Sequence, residues 1–572
     1  MKLEASQATT ISPLWVDHYP RGVDWNMPIP KRTVPELLER AANQFPGNPA
    51  ISFLGRTTSY STLAAEVDRV AAGLQSIGVK RGTKVGLLLP NTPTFIVYYF
   101  AILKAGGTVV NFNPLYTLEE LTFQVTDSET EIMVTHDLSL LFSKAEALML
   151  SGVIARSVVI PFASVLPPLK SVLFRLLKRK DVADFRASRA ADRVINGMTL
   201  AATSAPMTPV SIDPDEDVAV LQYTGGTTGT PKGAMLTHAN LTANTAQIAA
   251  WAVDLEPGKE SILGALPLFH VFAMTVVMNM GVELAAKIIL IPRFQLLEVL
   301  KLLNRERPTV LPAVPTIFTA MLNYPEFKSY DVSSLRFCIS GGAPLPMEVK
   351  LKFEAVSGAK VVEGYGLSEA SPVLTCNPVQ EEPVLGSIGP PMPGTTISLR
   401  DIEDPTKEVA QGERGELCAK GPQIMKGYWK KPAETEKQFV GEFLRTGDVA
   451  IMDEHGYFSI VDRIKDLIIC SGYNVYPRRI EEAIYTHPAV EEVTVIGIAD
   501  DYRGEAPKAF IKLKSGMSAT AADILKHLEP KISKIEMPAA IEFRDSLPKT
   551  MIGKLSKKEL AAEEANRGRL AT

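Results

Sequence analysis

Short apolar runs alternate with helix-period segments through the first third of this chain, and that alternation points to an α/β architecture. Thr33-Val34-Pro35-Glu36 has the form of a capping box, with threonine as N-cap and glutamate three residues later, so a helix is predicted through Leu37 and Leu38. Leu63, Val67, Val70, Leu74 and Ile77 repeat at four-three spacing, which predicts an amphipathic helix stopped by Gly78. Val85 to Leu89 is a short apolar run closed by Pro90-Asn91 and reads as a buried strand, with a helix following around Phe95 to Lys104. Thr108 to Val110 and Ile132 to Thr135 read as two more strands with a helix between them. Strands interleaved with helices call for a largely parallel sheet.

A chain of 572 residues exceeds what one compact core accommodates, so at least two domains are expected, one of them large. After about residue 465 the elements become shorter and closer. A helix near Ile480 to Tyr485, strands at Val493 to Ile498 and Lys508 to Lys514, a helix at Ala521 to Leu528 and a strand at Ala540 to Phe543 describe a small α+β domain. The expected division is a large domain over 1–464 and a small one over 465–572, with a charged tail after Leu560 that frays.

Composition removes several function classes. A net charge of −4 leaves no overall positive field for a nucleic acid. The four cysteines (Cys338, Cys376, Cys418 and Cys470) form no CxxC pair, which points away from a disulfide framework or a zinc site and toward a reducing compartment. Met1 to Thr10 lacks a continuous apolar core, and no run reaches the roughly 18 to 20 apolar residues of a membrane span. A cytoplasmic location is therefore expected. One segment complicates it. Leu169, Val172, Leu173, Leu176 and Leu177 recur at helical spacing among Lys170, Arg175, Lys178, Arg179 and Lys180. A basic amphipathic helix of this kind can lie peripherally on the inner face of a membrane, or pack on its own domain with a solvated basic face.

The most informative stretch is Tyr223-Thr224-Gly225-Gly226-Thr227-Thr228-Gly229-Thr230-Pro231-Lys232-Gly233, which follows an apolar run, Val218 to Leu221, read as a strand. Its glycines let backbone N–H groups approach a polyanion, its threonine hydroxyls add neutral donors, and Lys232 adds a positive charge. No G-x-x-x-x-G-K-[ST] pattern occurs, so a Walker-type ATPase is disfavoured.

This segment resembles the phosphate loop of the adenylate-forming superfamily, which comprises acyl-CoA synthetases, peptide-synthetase adenylation domains and luciferases. The chain most resembles bacterial long-chain fatty-acid–CoA ligases, over about Trp15 to Leu560. Several further motifs occur in the family's order. Glu363-Gly364-Tyr365-Gly366-Leu367-Ser368-Glu369 resembles Y-G-x-T-E, with Ser368 standing where the family usually has threonine. The resemblance implies that Tyr365 stacks on adenine, that Ser368 contacts the α-phosphate, and that Glu369 binds Mg²⁺, for which a carboxylate is a suitable hard ligand. Ser340-Gly341-Gly342-Ala343-Pro344 resembles the segment along the adenine and the start of the acyl pocket. Leu444-Arg445-Thr446-Gly447-Asp448 resembles the motif whose aspartate accepts from the ribose hydroxyls. In Val461-Asp462-Arg463-Ile464-Lys465-Asp466, Arg463 is implied to meet ribose or phosphate, and Lys465 to be the hinge.

Pro548-Lys549-Thr550-Met551-Ile552-Gly553-Lys554 resembles P-K-x-x-x-G-K, which implies that Lys554 reaches from the small domain into the active site. The implied catalytic set is Lys554, Thr224 and Glu369. The ATP contacts implied with them run from Thr224 through Gly225, Gly226, Thr227, Thr228 and Gly229 to Lys232. They continue through Gly341, Gly342, Ala343, Glu363, Gly364, Tyr365, Gly366 and Ser368 to Asp448 and Arg463. His270, Phe272, Gly341 and Leu367 are implied at the acyl pocket, and Ser471, Gly472 and Tyr473 on the coenzyme A side. Amino-acid-activating relatives place an aspartate after the phenylalanine of the segment Leu266 to Phe272; here His270 stands there, which favours an alkyl chain. The expected activity is ATP- and Mg²⁺-dependent conversion of a fatty acid to its adenylate and then its coenzyme A thioester. A medium-chain, aromatic or dicarboxylic acid is the alternative substrate.

Overall fold

A computed structural model describes residues 13–203, 206–224, 230–379, 384, 386–471, 473–500, 502–550 and 554–571. The Thr33 cap forms as its residue types dictate: the Glu36 carboxylate accepts from the Thr33 backbone N–H at 3.0 Å, and the helix runs Val34–Gln44. The four-three repeat becomes the helix Tyr60–Ser76, and Gly78 beyond it takes φ +98°. The apolar runs at Lys84–Leu88, Thr108–Asn111 and Ile132–His136 pair in parallel. They sit inside a seven-stranded sheet that ends with Val218–Thr224 and, antiparallel beside it, Lys232–Thr237.

A second sheet of eight strands is parallel through its centre, where Lys360–Gly366, Phe337–Gly341, Val310–Ala313, Ser261–Gly264 and Lys287–Leu290 lie side by side in that order. One continuous apolar core joins both sheets, and a second packs the helices Leu118–Ser128 and Ser139–Leu150 against the seven-stranded one. A third sheet, antiparallel and five-stranded, spans Thr396 to Arg463. The carboxyl-terminal residues have a separate sheet running from Ile468 to Phe543, with cores of their own around Ile480, Val495 and Ile524 and around Phe510 and Leu560. The architecture is the expected α/β one. All four cysteines are free and buried, and no described helix is long and apolar enough to cross a membrane.

The tail departs from expectation. Instead of fraying after Leu560, residues Lys557–Ala571 form a helix. Leu560 is wholly buried against Ile496, Phe510 and Leu547. Glu563 pairs with Arg544 at 2.7 Å and Glu564 with Lys508 at 2.9 Å, while Arg567 reaches Glu542 at 2.8 Å. The charges that suggested a solvated tail are partners of charges on the sheet, and this pairing leaves no local trace in the sequence. Leu560→Ala should therefore destabilise the carboxyl-terminal core by about 2–5 kcal/mol. Denaturant unfolding followed at that core checks it, and a frayed tail would give no change.

Candidate active site

The phosphate-loop candidate joins two neighbouring strands. Thr224 is paired with Lys232 and Tyr223 with Gly233, so the strands on either side of the loop pair antiparallel. This is the structural counterpart of the missing Walker pattern. Gly225, Gly226, Thr227, Thr228 and Gly229 lie outside the described residues. Gly233 lies close under the Tyr223 ring, where a Cβ would sit 3.0 Å from the nearest ring carbon. The Tyr223 hydroxyl in turn donates to Asp127 at 2.6 Å.

Lys232 at the hairpin base is ion-paired with Glu434, and its ammonium lies 5.0 Å from the centre of the Tyr428 ring. The Tyr428 hydroxyl donates to Glu369 Oε1 at 2.7 Å, linking the loop lysine to the candidate metal ligand. Glu369 is buried, and burial raises its carboxyl pKa, while the Tyr428 hydrogen bond and the charges of Lys232 and Arg463 oppose the rise. Tyr428 is held because residues 425–429 run beside the hairpin strand. Trp429 N–H donates to Gly233 carbonyl at 2.8 Å, Met235 N–H to Gly427 carbonyl at 2.9 Å, and Met425 N–H to Glu369 carbonyl at 2.8 Å. Sequence reasoning missed Tyr428 and Glu434. Both lie some two hundred residues from Lys232, and only the sequence Gly427-Tyr428-Trp429 hints at them.

The strand Lys360–Gly366 carries the second group. Gly341 and Gly364 are register partners, as are Ser340 and Glu363. Burial pushes the Glu363 carboxyl up to about 7 against the charge of Arg478. The Tyr365 hydroxyl donates to Asp448 Oδ2 at 2.5 Å, and Arg463 Nε donates to Asp448 Oδ1 at 3.1 Å. Asp448, expected to receive ribose hydroxyls, is thus already oriented by two donors from separate sheets. A Cβ at Gly366 would collide with the Pro372 carbonyl at 1.9 Å, so no other residue fits this turn. Leu367 donates its N–H to the same carbonyl at 3.0 Å, and Ser368 opens the short turn that carries Glu369.

Lys554 meets this group from the carboxyl-terminal unit, beyond its sheet. Its stem lies across Gly342, where a Cβ would fall 2.7 Å from Lys554 Cε and where φ is +84°. Leu266, Pro267, His270, Phe272 and Val314 complete the recess around it. A Cβ at Gly341 would touch the Phe272 ring at 3.0 Å, which seats the ring on the glycine pair, with Ala343 next in the turn. Burial lowers the Lys554 ammonium to about 8; Arg463 adds to the shift and Asp448 opposes it. His270 is pushed down to about 3 by burial and by the charge of Lys554, so its imidazole is neutral at ordinary pH. Its Nδ1 accepts from Phe272 N–H at 3.3 Å, which puts the ring proton on Nε2.

The two cores also meet at Asp462. Its carboxylate is buried and accepts from Arg463 N–H and from Arg478 N–H, both at 2.8 Å. Arg478 is in the first turn of the helix Pro477–Tyr485, so a side chain from the third sheet caps a helix of the carboxyl-terminal unit. Lys465 lies just beyond in a short turn and is exposed. Ser471, at φ +51°, and Tyr473, 66% exposed, sit on the hairpin of Ile468–Cys470 with Tyr473–Val475; Gly472 between them lies outside the described residues.

Lys232 and Arg463 lie near enough to Glu369 to act on its carboxyl, and Arg463 and Asp448 act likewise on Lys554, so three cations converge on two buried carboxylates, Glu369 and Asp448. That arrangement can bind a polyanion and stabilise added negative charge. The comparisons with known proteins agree with the geometry. Residues 38–429 match the family described as AMP-binding enzyme, and residues 479–554 match the AMP-binding enzyme C-terminal domain. The chain belongs to the AMP-binding enzyme family. Within this family it is 42% identical to a long-chain-fatty-acid–CoA ligase of Bacillus subtilis, over 96% of this chain and 98% of that one. It is 36% identical to a protein of the same description from Escherichia coli, at the same coverage. The crystal structure of ATP-bound MatB from Rhodopseudomonas palustris superposes with a TM-score of 0.80 at 30% identity, over 93% of this chain and 99% of that one. The fold of this AMP-binding enzyme is accordingly that of the adenylate-forming enzymes.

The lowered Lys554 value yields a prediction with a definite sign. Its amine loses the proton as pH rises through about 8, whereas an unperturbed lysine does so near 10.5. Amine-selective labelling with peptide mapping should show Lys554 half-reactive near pH 8, well ahead of the exposed lysines. Labelling in step with the bulk lysines would contradict the buried placement.

Proposed function

We propose that this enzyme activates a long-chain fatty acid with ATP and transfers the acyl group to coenzyme A, as the printed descriptions of its relatives suggest. One observation carries the reading. Lys554, from the carboxyl-terminal unit, lies in a recess of the large one beside Asp448 and Arg463, and Tyr428 joins Lys232 to Glu369 close by. In the first step a carboxylate oxygen of the acid attacks the α-phosphorus of ATP, and the bond to the bridging oxygen breaks as pyrophosphate leaves. Acid and nucleotide are both anions. Lys232 and Lys554 offset their repulsion, and the hairpin loop from Thr224 to Gly229 orients the phosphates. Asp448, held by Tyr365 and Arg463, would accept from ribose. In the second step the coenzyme A thiolate attacks the acyl carbonyl, and AMP departs with the electrons of the broken carbon–oxygen bond.

Mg²⁺ fits the residues present. Among the described residues no cluster of three or more His, Cys, Asp or Glu side chains is placed to hold a metal, which leaves one carboxylate together with substrate oxygens. Glu369 is a hard oxygen donor in a shielded place, and Mg²⁺ is commonly bound through one or two carboxylates plus phosphates. When bound, the ion would supply charge stabilisation at the phosphates.

The working division in this reading is 1–464 and 465–572. Rotation near Lys465 would withdraw Lys554 and bring Ser471, Gly472 and Tyr473 to the thiol, with the cap between Asp462 and Arg478 released on the way. His270 and Phe272, neutral and apolar, suit the alkyl end of the acid, with Leu367 nearby in the chain. The reading also includes peripheral contact with the inner face of a membrane through residues 165–180.

Pyrophosphate release measured with acids of roughly four to eighteen carbons, some carrying a second carboxylate or an aromatic ring, tests the substrate. The highest kcat/KM is expected for long unbranched monocarboxylates. A preference for aromatic or dicarboxylic acids would overturn the fatty-acid assignment and leave adenylation intact.

A further inference from the structure

The helix Pro168–Leu177 contains no buried residue. It is fastened by its inner side, where the Phe174 ring packs on Phe162 at 5.1 Å and the Lys170 ammonium donates to the Leu54 carbonyl at 2.7 Å. The outer side is apolar and open. Leu169, Leu176 and Leu177 are 73%, 71% and 77% exposed, with Val172 and Leu173 between them. These five positions follow the i, i+3, i+4, i+7, i+8 pattern of one helix face. A soluble surface rarely leaves such a stripe bare without a partner. Attachment to the domain does not require the stripe, because Phe174 and Lys170 provide that.

We propose that this face docks on an anionic lipid bilayer, with the leucines among the acyl chains and the neighbouring cations at headgroup phosphates. The proposal rests on the peripheral-contact reading and assigns that contact to one helix face. Charge selects the occupant. Residues 161–180 hold five cations and no carboxylate; Asp181, paired with Lys178 at 3.2 Å, is the first acid. Two copies of this chain meeting through the same face would bring the cations of both together, whereas an anionic surface is complementary to it. At about 1.5 Å per residue the helix is far too short to span a bilayer, so it lies in the interface. A bilayer also dissolves long-chain acids, so an enzyme seated there would meet the proposed substrate where it is concentrated.

Co-sedimentation of the full chain with vesicles provides the test. One set is phosphatidylcholine alone, and the other contains about one third phosphatidylglycerol. The expected result is binding to the anionic set that weakens with salt, falls about tenfold or more with Leu169→Gln, Leu176→Gln and Leu177→Gln together, and falls likewise with Lys178→Gln, Arg179→Gln and Lys180→Gln. Both variants should melt as the parent does, because the altered side chains are exposed. ATP–pyrophosphate exchange with a short water-soluble acid, measured without vesicles, should be unchanged. If that exchange is missing in the parent chain, the proposed function fails and the docking face does not. No binding to anionic vesicles, equal binding to both sets, or undiminished binding by the leucine variant overturns the proposal. Concentration-dependent dimerisation that the leucine variant loses would assign the face to a second copy and overturn it as well.

Discussion

An ammonium group moved out of water into a narrow recess must be compensated or lose its proton, and Lys554 stands between these outcomes. Burial and Arg463 pull its proton off, and Asp448 holds it on. Much of the site is arranged around that balance. Gly342 lacks a side chain because the lysine stem occupies the space, and the His270 imidazole is kept neutral partly by the lysine's charge. Asp448 is shared between Tyr365 and Arg463 and so is oriented before any ligand arrives. An incoming phosphate would relieve the strain on the cation, so the recess favours negative charge without requiring a preformed ion pair.

The lysine also joins two separately built cores. The carboxyl-terminal sheet has its own apolar interior, yet its Arg478 N–H is capped by Asp462 from the third sheet, and Arg414 stacks on Tyr476 across the same junction at 4.6 Å. These are polar and cation–π contacts rather than a continuous apolar interface. Such contacts can be exchanged for water at modest cost, which suits the rotation proposed for the small unit. Burial pushes the Asp462 carboxyl up to about 6, against the charge of Lys557 and the two backbone N–H groups it accepts from.

Much of this organisation was legible in the sequence because it rests on local chemistry. The Thr33 box, the Leu63 to Ile77 stripe and the short apolar runs each express one element's own geometry, and they appear within three residues of where they are expected. At the glycines 341, 342 and 366 the close neighbours are the Phe272 ring, Lys554 and the Pro372 carbonyl. What escaped the sequence is pairing over distance. Glu434 meets Lys232 from 202 residues away, Tyr428 reaches Glu369 from 59, and the helix after Leu560 is held by carboxylates that meet cations on another strand. A charged run looks the same in sequence whether its partner is water or a distant arginine.

The central claim is that Lys554 acts on the adenylating step and not on the thiol step. Lys554→Ala assayed separately on the two half-reactions tests it most directly. ATP–pyrophosphate exchange with a fatty acid should fall by about a hundredfold or more, while transfer to coenzyme A from supplied acyl-adenylate continues near the parent rate. Undiminished exchange, or an equal loss in both steps, would contradict the account.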